Sequence, residues 1–344
     1  MSEIRVNNIT NRDGSTGTTV AGIPVVDSTS HFVVPSGDTA ERGSRGRGII
    51  AEGRIGTGLE YITIATLGNA TDFGVTTLST QTEGYALASS TRGLFAGGYS
   101  SSPTYSNSIE YVDIQSTGNA FDFGDLSEAK RSGGSTSSST RGIFYGGIDT
   151  GINSSKLIEY VEIASLGNSS EFGEREPGKD NLSGGMSNGV RGVFLGGHTG
   201  RGSSPNDGSN TIDYITISTL GNAKDFGDAT AAYSNANNGS NSIRGINMGG
   251  YAPARVNTIE YITIASFGDA IDFGDLTQIR GLLAVVTNST RAVACGGNAA
   301  PVTTNSNVMD YITIASTGNA ADFGDLVTAS RVNTACSDSH GGLG

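Results

Sequence analysis

A strand-like segment that begins with an acidic residue and a tyrosine recurs about every 50 residues along this 344-residue chain. The six copies begin at Glu60-Tyr61, Glu110-Tyr111, Glu159-Tyr160, Asp213-Tyr214, Glu260-Tyr261 and Asp310-Tyr311. A fixed period of this length indicates a repeat architecture, in which each repeat is one supersecondary unit that buries its core against its neighbours. The period therefore constrains the fold more strongly than any local propensity.

Each repeat contains four segments with strand character. The acidic–Tyr segment continues as YITIA or a close variant, in which Ile and Val alternate with polar residues, as expected of a strand with one buried face. A relative of GNA-x-DFGDL follows and predicts a short outer strand. A segment of small residues such as GYALASST comes next, and then a relative of RGLFAGG. Because small side chains suit a crowded axis, we expect the small-residue strand to be innermost.

The two ends of the repeat region are complementary. Residues 45–53 match the second strand of the repeat without a first strand before them, and the C-terminal SRVNTACSDSHGG matches a first strand without a second. Pairing these two segments would complete a blade and remove two exposed sheet edges. The sequence therefore predicts an all-β, six-bladed propeller with four strands per blade over residues 41–344, after a short extended arm over residues 1–40.

Composition excludes several classes of partner. The chain has 52 Gly, a net charge of −12 and a pI near 4.6, which argues against nucleic acid because phosphate binding needs a basic surface. No apolar run reaches the roughly 18 residues of a membrane helix, and the N-terminus lacks a signal-peptide pattern, so we expect neither membrane insertion nor export by that route. We expect Cys295 and Cys336 to be small buried residues, since two thiols cannot build a disulfide framework.

Two charged positions recur with the repeat. An Arg begins the second strand at Arg47, Arg92, Arg141, Arg191, Arg244 and Arg291, and the acidic residue begins the third. Rings of charge that bind an ion or ligand are one interpretation. Sixfold repetition favours a structural one, in which Arg pairs with the carboxylates or with backbone carbonyls and holds neighbouring strands together within each blade.

Two glycine- or acid-rich motifs also allow a functional interpretation. The Gly pairs, such as Gly97-Gly98, precede another strand and not a helix, which favours a sharp turn over a phosphate loop. The DFGD segments place two carboxylates three residues apart, as at Asp122 and Asp125, which would suit calcium. One turn supplies too few oxygens for that ion, so turn capping is favoured and no metal or cofactor is predicted.

The chain lacks a recognisable catalytic set. His31, His198 and His340 lie in unrelated contexts, none near a nucleophile elbow or a metal-ligand spacing. We therefore expect no catalytic residues and no enzymatic activity, and a glycan-cleaving propeller enzyme is kept as an alternative.

The connections after the Gly pairs differ from copy to copy. Variable loops on a constant scaffold are where recognition is usually placed. Their aromatic and polar side chains suit sugars or a protein surface, and the predicted binding residues are Tyr99, Tyr105, His198, Arg201, Asp207, Tyr251 and Arg255.

The repeat resembles the kelch propeller family over residues 45–344. The shared features are the strand that ends in a Gly pair, the Tyr-bearing strand and an aromatic residue near the outer edge. The outer aromatic differs, because this chain has Phe where most kelch repeats have Trp, at Phe73, Phe123, Phe172, Phe226, Phe273 and Phe323. The resemblance implies the fold and not the cell biology of that family.

The N-terminal segment IRVNNITNRDGSTGTTVAGIPVVDSTSHFVVPSGDT resembles attachment segments of tailed-bacteriophage structural proteins, especially fibre-like proteins of marine and cyanobacterial phages, whose repeats also read RGVFAGG and IEYITIAS. The resemblance implies a virion tail-fibre or baseplate-associated protein. Its arm would bind other virion proteins, its loops a host surface glycan or protein, and fibres suggest a homo-oligomer, a trimer by analogy. A capsid or neck decoration protein and an intracellular kelch-like adaptor are alternatives.

Overall fold

The computed structural model of the protein describes residues 19–20, 23–24, 46–53, 56–77, 83–101, 104–180, 182–199, 208–301, 303–331 and 334–343. The chain divides into two compact units, residues 1–41 and 42–344. In the first, Thr19–Val20 pairs with Ile23–Pro24 in an antiparallel bridge. In the second, six antiparallel sheets form a ring, and within the described ranges there is no α-helix.

Each sheet is one blade, whose four strands follow one another from the axis outwards. Blade 1 consists of Thr334–Ser337, Arg47–Ala51, Gly58–Thr63 and Thr71–Val75. Blade 2 consists of Tyr85–Ala88, Arg92–Ala96, Ser108–Asp113 and Phe121–Asp125. Blade 3 consists of Gly134–Ser137, Arg141–Tyr145, Leu157–Glu162 and Ser170–Glu174.

The second half of the ring follows the same order. Blade 4 consists of Met186–Ser187, Arg191–Leu195, Ser209–Thr216 and Lys224–Tyr233. Blade 5 consists of Ala236–Ser240, Arg244–Tyr251, Arg255–Thr263 and Ile271–Asp275. Blade 6 consists of Ala284–Thr287, Arg291–Cys295, Thr304–Thr313 and Ala321–Ser330.

Short additional strands lie in the connecting segments. Tyr99–Ser101 pairs with Thr104–Tyr105, Lys130–Arg131 with Ile148–Asp149, and Arg280–Gly281 with Asn298–Ala299. Leu182–Ser183 pairs in parallel with the start of the inner strand of blade 5, and Gly341–Leu343 forms a 3₁₀ turn.

The predicted closure and strand order are confirmed. The C-terminal strand Thr334–Ser337 pairs antiparallel with Arg47–Ala51, with Ile49 opposite Cys336, so both ends of the repeat region share blade 1. The small-residue strand is innermost in every blade, as its composition predicted. Cys295 and Cys336 are buried free thiols, and burial raises the pKa of both.

The core lies in layers between successive blades. In each repeat the outer-strand Phe is buried and meets the Tyr of the third strand edge to face, with ring centroids 5.9–6.2 Å apart. Such aromatic pairs add roughly 0.5–1.5 kcal/mol beyond the area they bury. The outer-strand Phe therefore joins the third and fourth strands of each blade through the core.

Backbone hydrogen bonds join the blades at the outer rim. Gly118 and Ala120 in the turn of blade 2 donate to Phe73 and Val75 in the outer strand of blade 1, and Asn119 Oδ1 accepts from the Val75 N–H at 3.2 Å. Equivalent bonds recur at all six interfaces, with Asp269 in place of Asn at one of them. The DFGD carboxylates lie within the outer strands, so their expected capping role falls to this Asn.

Side-chain hydroxyls join the blades at the axis. Ser137, Ser240, Thr287 and Ser337 each donate to the carbonyl of the equivalent residue of the preceding blade, over 2.6–2.9 Å. A cavity of about 60 Å³ lies on the axis between the inner strands. Small and hydroxylated residues thus let six strands converge while their polar groups stay hydrogen-bonded.

The two faces of the propeller differ in what they carry. One face, which we call the Arg face, holds the turns after each inner strand and before each outer strand, such as residues 89–91 and 114–120. The other, which we call the loop face, holds the described parts of the connections that follow the Gly pairs, such as residues 99–101 and 104–107, and the segments that join one blade to the next, such as 126–133. The connections whose sequence differs from repeat to repeat therefore lie on the loop face.

Replacing Gly124 by alanine should destabilise the propeller. Gly124 has φ +149°, and a Cβ there would lie 2.4 Å from the Gly167 carbonyl oxygen of blade 3. We expect a loss of at least about 2 kcal/mol, since a disfavoured backbone conformation costs roughly 1–3 kcal/mol and overpacking costs a similar amount. Urea denaturation of the variant and of the native chain measures this loss in the free energy of unfolding.

Gly118→Ala is the matched control, because the added methyl group meets open space on the same rim. It should cost less than about 1 kcal/mol. Equal losses for the two variants would contradict the rim as a determinant of stability.

Candidate functional site

The six repeated arginines join adjacent blades on the Arg face. Each guanidinium group lies over the Tyr of its own blade, 4.4–5.4 Å from the ring centroid. Each also donates to a backbone carbonyl of the next blade, as Arg92 does to Ile163 at 3.0 Å. The equivalent bonds are Arg47 to Ile114, Arg141 to Ile217, Arg191 to Ile264, Arg244 to Ile314 and Arg291 to Ile64. The predicted bond to backbone is present, but it crosses between blades. The predicted pairing with a carboxylate inside a blade is found at Arg141, whose guanidinium pairs with Glu162 on the neighbouring strand at 2.9 Å.

The repeated acidic residues are buried, or nearly so, between blades. Each accepts hydrogen bonds from residues in the last part of the outer strand of the preceding blade or in the segment that follows it. Glu60 accepts from the N–H groups of Val327 and Thr328, both at 2.9 Å, and Glu260 accepts from the Thr230 N–H at 3.0 Å. The acids therefore hold blade interfaces together, as the arginines do.

Among the residues that the structure describes, basic side chains meet these acids at three interfaces. Lys130 pairs with Glu159, Arg175 and Lys179 approach Asp213, and Arg280 donates to Asp310 at 2.7 Å. Burial alone would raise the pKa of Glu159, but the Lys130 ammonium and the hydrogen bonds from Lys130 and Ser127 lower it. Burial dominates at Glu260 and raises its pKa, although Thr230 and Asn247 oppose the shift. The acidic position of the repeat therefore has a lowered pKa in blade 3, at Glu159, and a raised pKa in blade 5, at Glu260.

Glu159→Gln and Glu260→Gln should have different effects at pH 7. The first leaves the buried Lys130 without its carboxylate, which costs about 3–5 kcal/mol. The second removes a charge that burial disfavours, so we expect a change within about 1 kcal/mol. Chemical unfolding at pH 7 compares them, and equal losses would contradict the assignment.

The pH dependence of stability provides a second measurement. The stabilisation of the folded state by ionised Glu159 is present above the unfolded-state pKa of about 4.5. It is lost as the pH falls through the lowered pKa of Glu159 in the folded state. The stabilisation by protonated Glu260 is present below about 4.5 and is lost as the pH rises through its raised folded pKa. The free energy of unfolding of the Glu260→Gln variant, relative to that of the native chain, should therefore increase as the pH rises from 4.5 to 7.

On the loop face, the structure brings together Tyr99 and Tyr105 of blade 2. Their ring centroids are 6.4 Å apart, and the Arg131 guanidinium lies 5.0 and 5.3 Å from them. Glu83 accepts from Arg131 and from the Ser132 hydroxyl. We call these five residues the tyrosine cluster. It places aromatic rings, a cation and a carboxylate at one point of an accessible loop.

The backbone at the tyrosine cluster is strained. Glu83 and Ser132 have φ values of +60° and +58°, and the Ser132 N–H donates to the Glu83 carbonyl at 2.6 Å. Such a conformation in a residue other than glycine costs roughly 1–3 kcal/mol. Positive φ values also recur just before the inner strands of blades 4, 5 and 6, at Gly184, Asn235 and Leu282, so this backbone conformation belongs to the repeat and not to the cluster alone.

A second Tyr–Arg pair lies in blade 5, across the ring from blade 2. Arg255 Nε donates to the Tyr251 hydroxyl at 3.0 Å, and its Nη2 donates to Thr303 Oγ1 at 3.2 Å. The structure therefore places four of the seven predicted binding residues in two separate Tyr–Arg arrangements, both on the loop face.

The remaining predicted binding residues are not part of these arrangements. His198 is buried, exchanges backbone hydrogen bonds with Asp180, and has its Nδ1 3.8 Å from the Asp180 carboxylate. Burial makes it part of the packing of blade 4 and not an accessible ligand contact. Arg201 and Asp207 lie outside the described residues.

Sequence reasoning missed Glu83, Arg131 and Ser132 in the tyrosine cluster. They lie in the segments that lead into inner strands, whereas the prediction considered only the loops after the Gly pairs. The basic residues Lys130 and Arg131 gave no distinguishing signal, because the corresponding segments of other repeats also carry basic residues, at Lys179 and Arg280.

The described residues contain no group of three or more His, Cys, Asp or Glu side chains that could hold a metal ion. His198 and His340 lie far apart in the fold, in blade 4 and after the last inner strand, and His31 is outside the described residues. None of the described helical structure is long and apolar enough to cross a membrane.

No protein-family model matches the chain, and a search of curated proteins finds no significant relative.

Proposed function

We propose that this protein is a non-enzymatic structural component of a bacteriophage virion, tail-fibre or baseplate-associated, whose loop face binds a host surface. The observation that carries the binding role is the tyrosine cluster. Its five residues converge in one loop region of a scaffold whose rim hydrogen bonds and Arg–Tyr contacts repeat sixfold. The virion assignment draws on the resemblance of the N-terminal segment and of the repeats to phage fibre-like proteins.

The chemistry of the tyrosine cluster suits a glycan or a protein surface. Tyr presents a rigid apolar face together with a hydroxyl group, and it loses little conformational entropy on binding. Arg131 and Glu83 supply a donor and an acceptor in fixed positions, with side-chain exposures of 14% and 25%. Partial exposure leaves them reachable by a ligand while their pairing keeps them ordered.

The N-terminal arm is the proposed assembly element. Its short apolar alternations, such as Ile4, Val6 and Ile9, are too brief to bury a core, so they need a partner surface or symmetry mates. In a virion, that surface would come from other structural proteins or from further copies of this chain.

Binding of the native protein to immobilised lipopolysaccharide and capsular polysaccharide from a panel of bacteria tests the receptor role. Tyr105→Ala should weaken binding about tenfold, the loss of roughly 1.4 kcal/mol expected of a central aromatic contact. Thr150→Ala, an exposed position in the loop of blade 3, is the control and should bind as the native chain does.

Three outcomes bear on the alternatives. Absence of binding to every surface would overturn the receptor role and favour a decoration protein. Equal binding by Tyr105→Ala would remove the tyrosine cluster from the site. Shortening of a bound polysaccharide during the assay would contradict the non-enzymatic assignment and favour a glycan-cleaving enzyme.

Light scattering of the full chain and of a chain lacking residues 1–40 tests the assembly role. We expect a defined oligomer for the full chain and a folded monomer for the shortened one, because the propeller closes without the arm. Two monomers at matched concentrations would overturn self-assembly through the arm.

A further inference from the structure

A six-residue segment closes the axial channel at the Arg face. The inner strand of blade 1 ends at Ser337, which completes the ring, and Asp338–Leu343 then turns across the mouth of the channel. We call this segment the plug. Because every blade has its inner strand without it, the plug is an addition to the propeller and not one of its strands.

His340 fixes the plug to blades 2 and 3. Its Nδ1 accepts from the Gly342 N–H at 3.0 Å, so we assign the ring hydrogen to Nε2, which lies 2.9 Å from the Ala88 carbonyl oxygen and 3.1 Å from Ser137 Oγ. The Ala88 carbonyl oxygen also accepts from the Ser137 hydroxyl at 2.8 Å. His340 therefore adds a second donor at the hydrogen bond that joins blades 2 and 3 at the axis.

The mouth of the channel admits only glycine at two plug positions. A Cβ on Gly341 would lie 2.2 Å from the Asn241 carbonyl oxygen of blade 5, and a Cβ on Gly342 would lie 1.9 Å from the Ser137 carbonyl oxygen of blade 3. Real Cβ atoms do not approach backbone oxygens this closely. The mouth of the channel therefore accepts glycine at positions 341 and 342 and excludes residues that have a Cβ.

Asp338 anchors the start of the plug. Its carboxylate accepts from the Arg47 N–H at 2.8 Å and from Gln115 Nε2 at 2.9 Å. The contacts of the plug are thus hydrogen bonds and close backbone approaches spread over blades 1 to 5. Proteins recognise extended peptides through contacts of this kind, backbone hydrogen bonds and close-fitting pockets, and the plug inserts no large apolar side chain into the core.

We propose that the Arg-face mouth of the axial channel is a peptide-binding site for a Ser-His-Gly-Gly segment, which this chain fills with its own residues 338–343. The site is distinct from the tyrosine cluster on the loop face and does not depend on the receptor role. A segment of the same chemistry from a second copy would compete for it.

The test uses full-length chains and a fluorescent peptide with the sequence of residues 337–344. Gly342→Ala in the protein should expel the plug, because its Cβ has no room beside Ser137. The peptide should then bind this variant about 100-fold more tightly than the native chain if its affinity is about 10 µM, since a tethered competitor acts at an effective concentration in the millimolar range.

Two matched controls accompany this titration. The Gly118→Ala protein carries the same substitution in open space and should behave as the native chain. A peptide with alanine in place of the glycine at position 342 should not bind any variant. Circular dichroism reports whether each protein is folded.

The proposal is overturned if the peptide binds no variant, or binds all of them equally. Should Gly342→Ala fail to fold, His340→Ala replaces it, because that change removes the hydrogen bonds to Ala88 and Gly342 without a steric clash. Peptide binding to His340→Ala more than tenfold tighter than to the native chain would support the site, and unchanged weak binding would refute it.

Discussion

The structure depends on the backbone hydrogen bonds that join each blade to the next at the rim. Two N–H groups of one turn and one Asn or Asp oxygen meet the outer strand of the preceding blade, and this arrangement recurs at all six interfaces. It requires close approach of two backbones, which explains the glycine of each DFG segment. Gly74, Gly124 and Gly173, for example, each lie where a Cβ would meet the next blade's carbonyl at 2.2–2.4 Å.

Because the backbone fixes the rim and hydroxyls fix the axis, the layer between them can vary in charge. Glu159 meets Lys130, while the equivalent Glu260 has Thr230 and Asn247 as its side-chain hydrogen-bond partners. A buried ion pair contributes little net stability, but its half left alone is costly. The two arrangements therefore coexist in one ring without altering its geometry, and differences between interfaces can accumulate without loss of the fold.

The sequence predicted the fold well because the period, the strand alternation and the unmatched ends are all properties of the chain itself. Its prediction for the arginines failed in one respect. Arg92 bonds to blade 3 and not within blade 2, since the contact depends on how blades pack, which no repeat pattern encodes. His198 was similarly misplaced, because a variable loop residue can turn inward beside Asp180. The pairing of Tyr99 with Arg131 arises from different segments and has no local signature.

Sixfold repetition also separates scaffold from recognition. Contacts that recur in every blade, such as Arg over Tyr, must be satisfied six times and so cannot adapt to a ligand. Contacts that occur once are free of that constraint, and they are found at the tyrosine cluster on one face and at the plug on the other. At the plug the chain also accepts a local cost, an obligatory glycine at Gly342, whose Cβ would meet the Ser137 carbonyl oxygen. The six blades close without this segment, so the cost at Gly342 is a physical sign that the plug serves something other than closure.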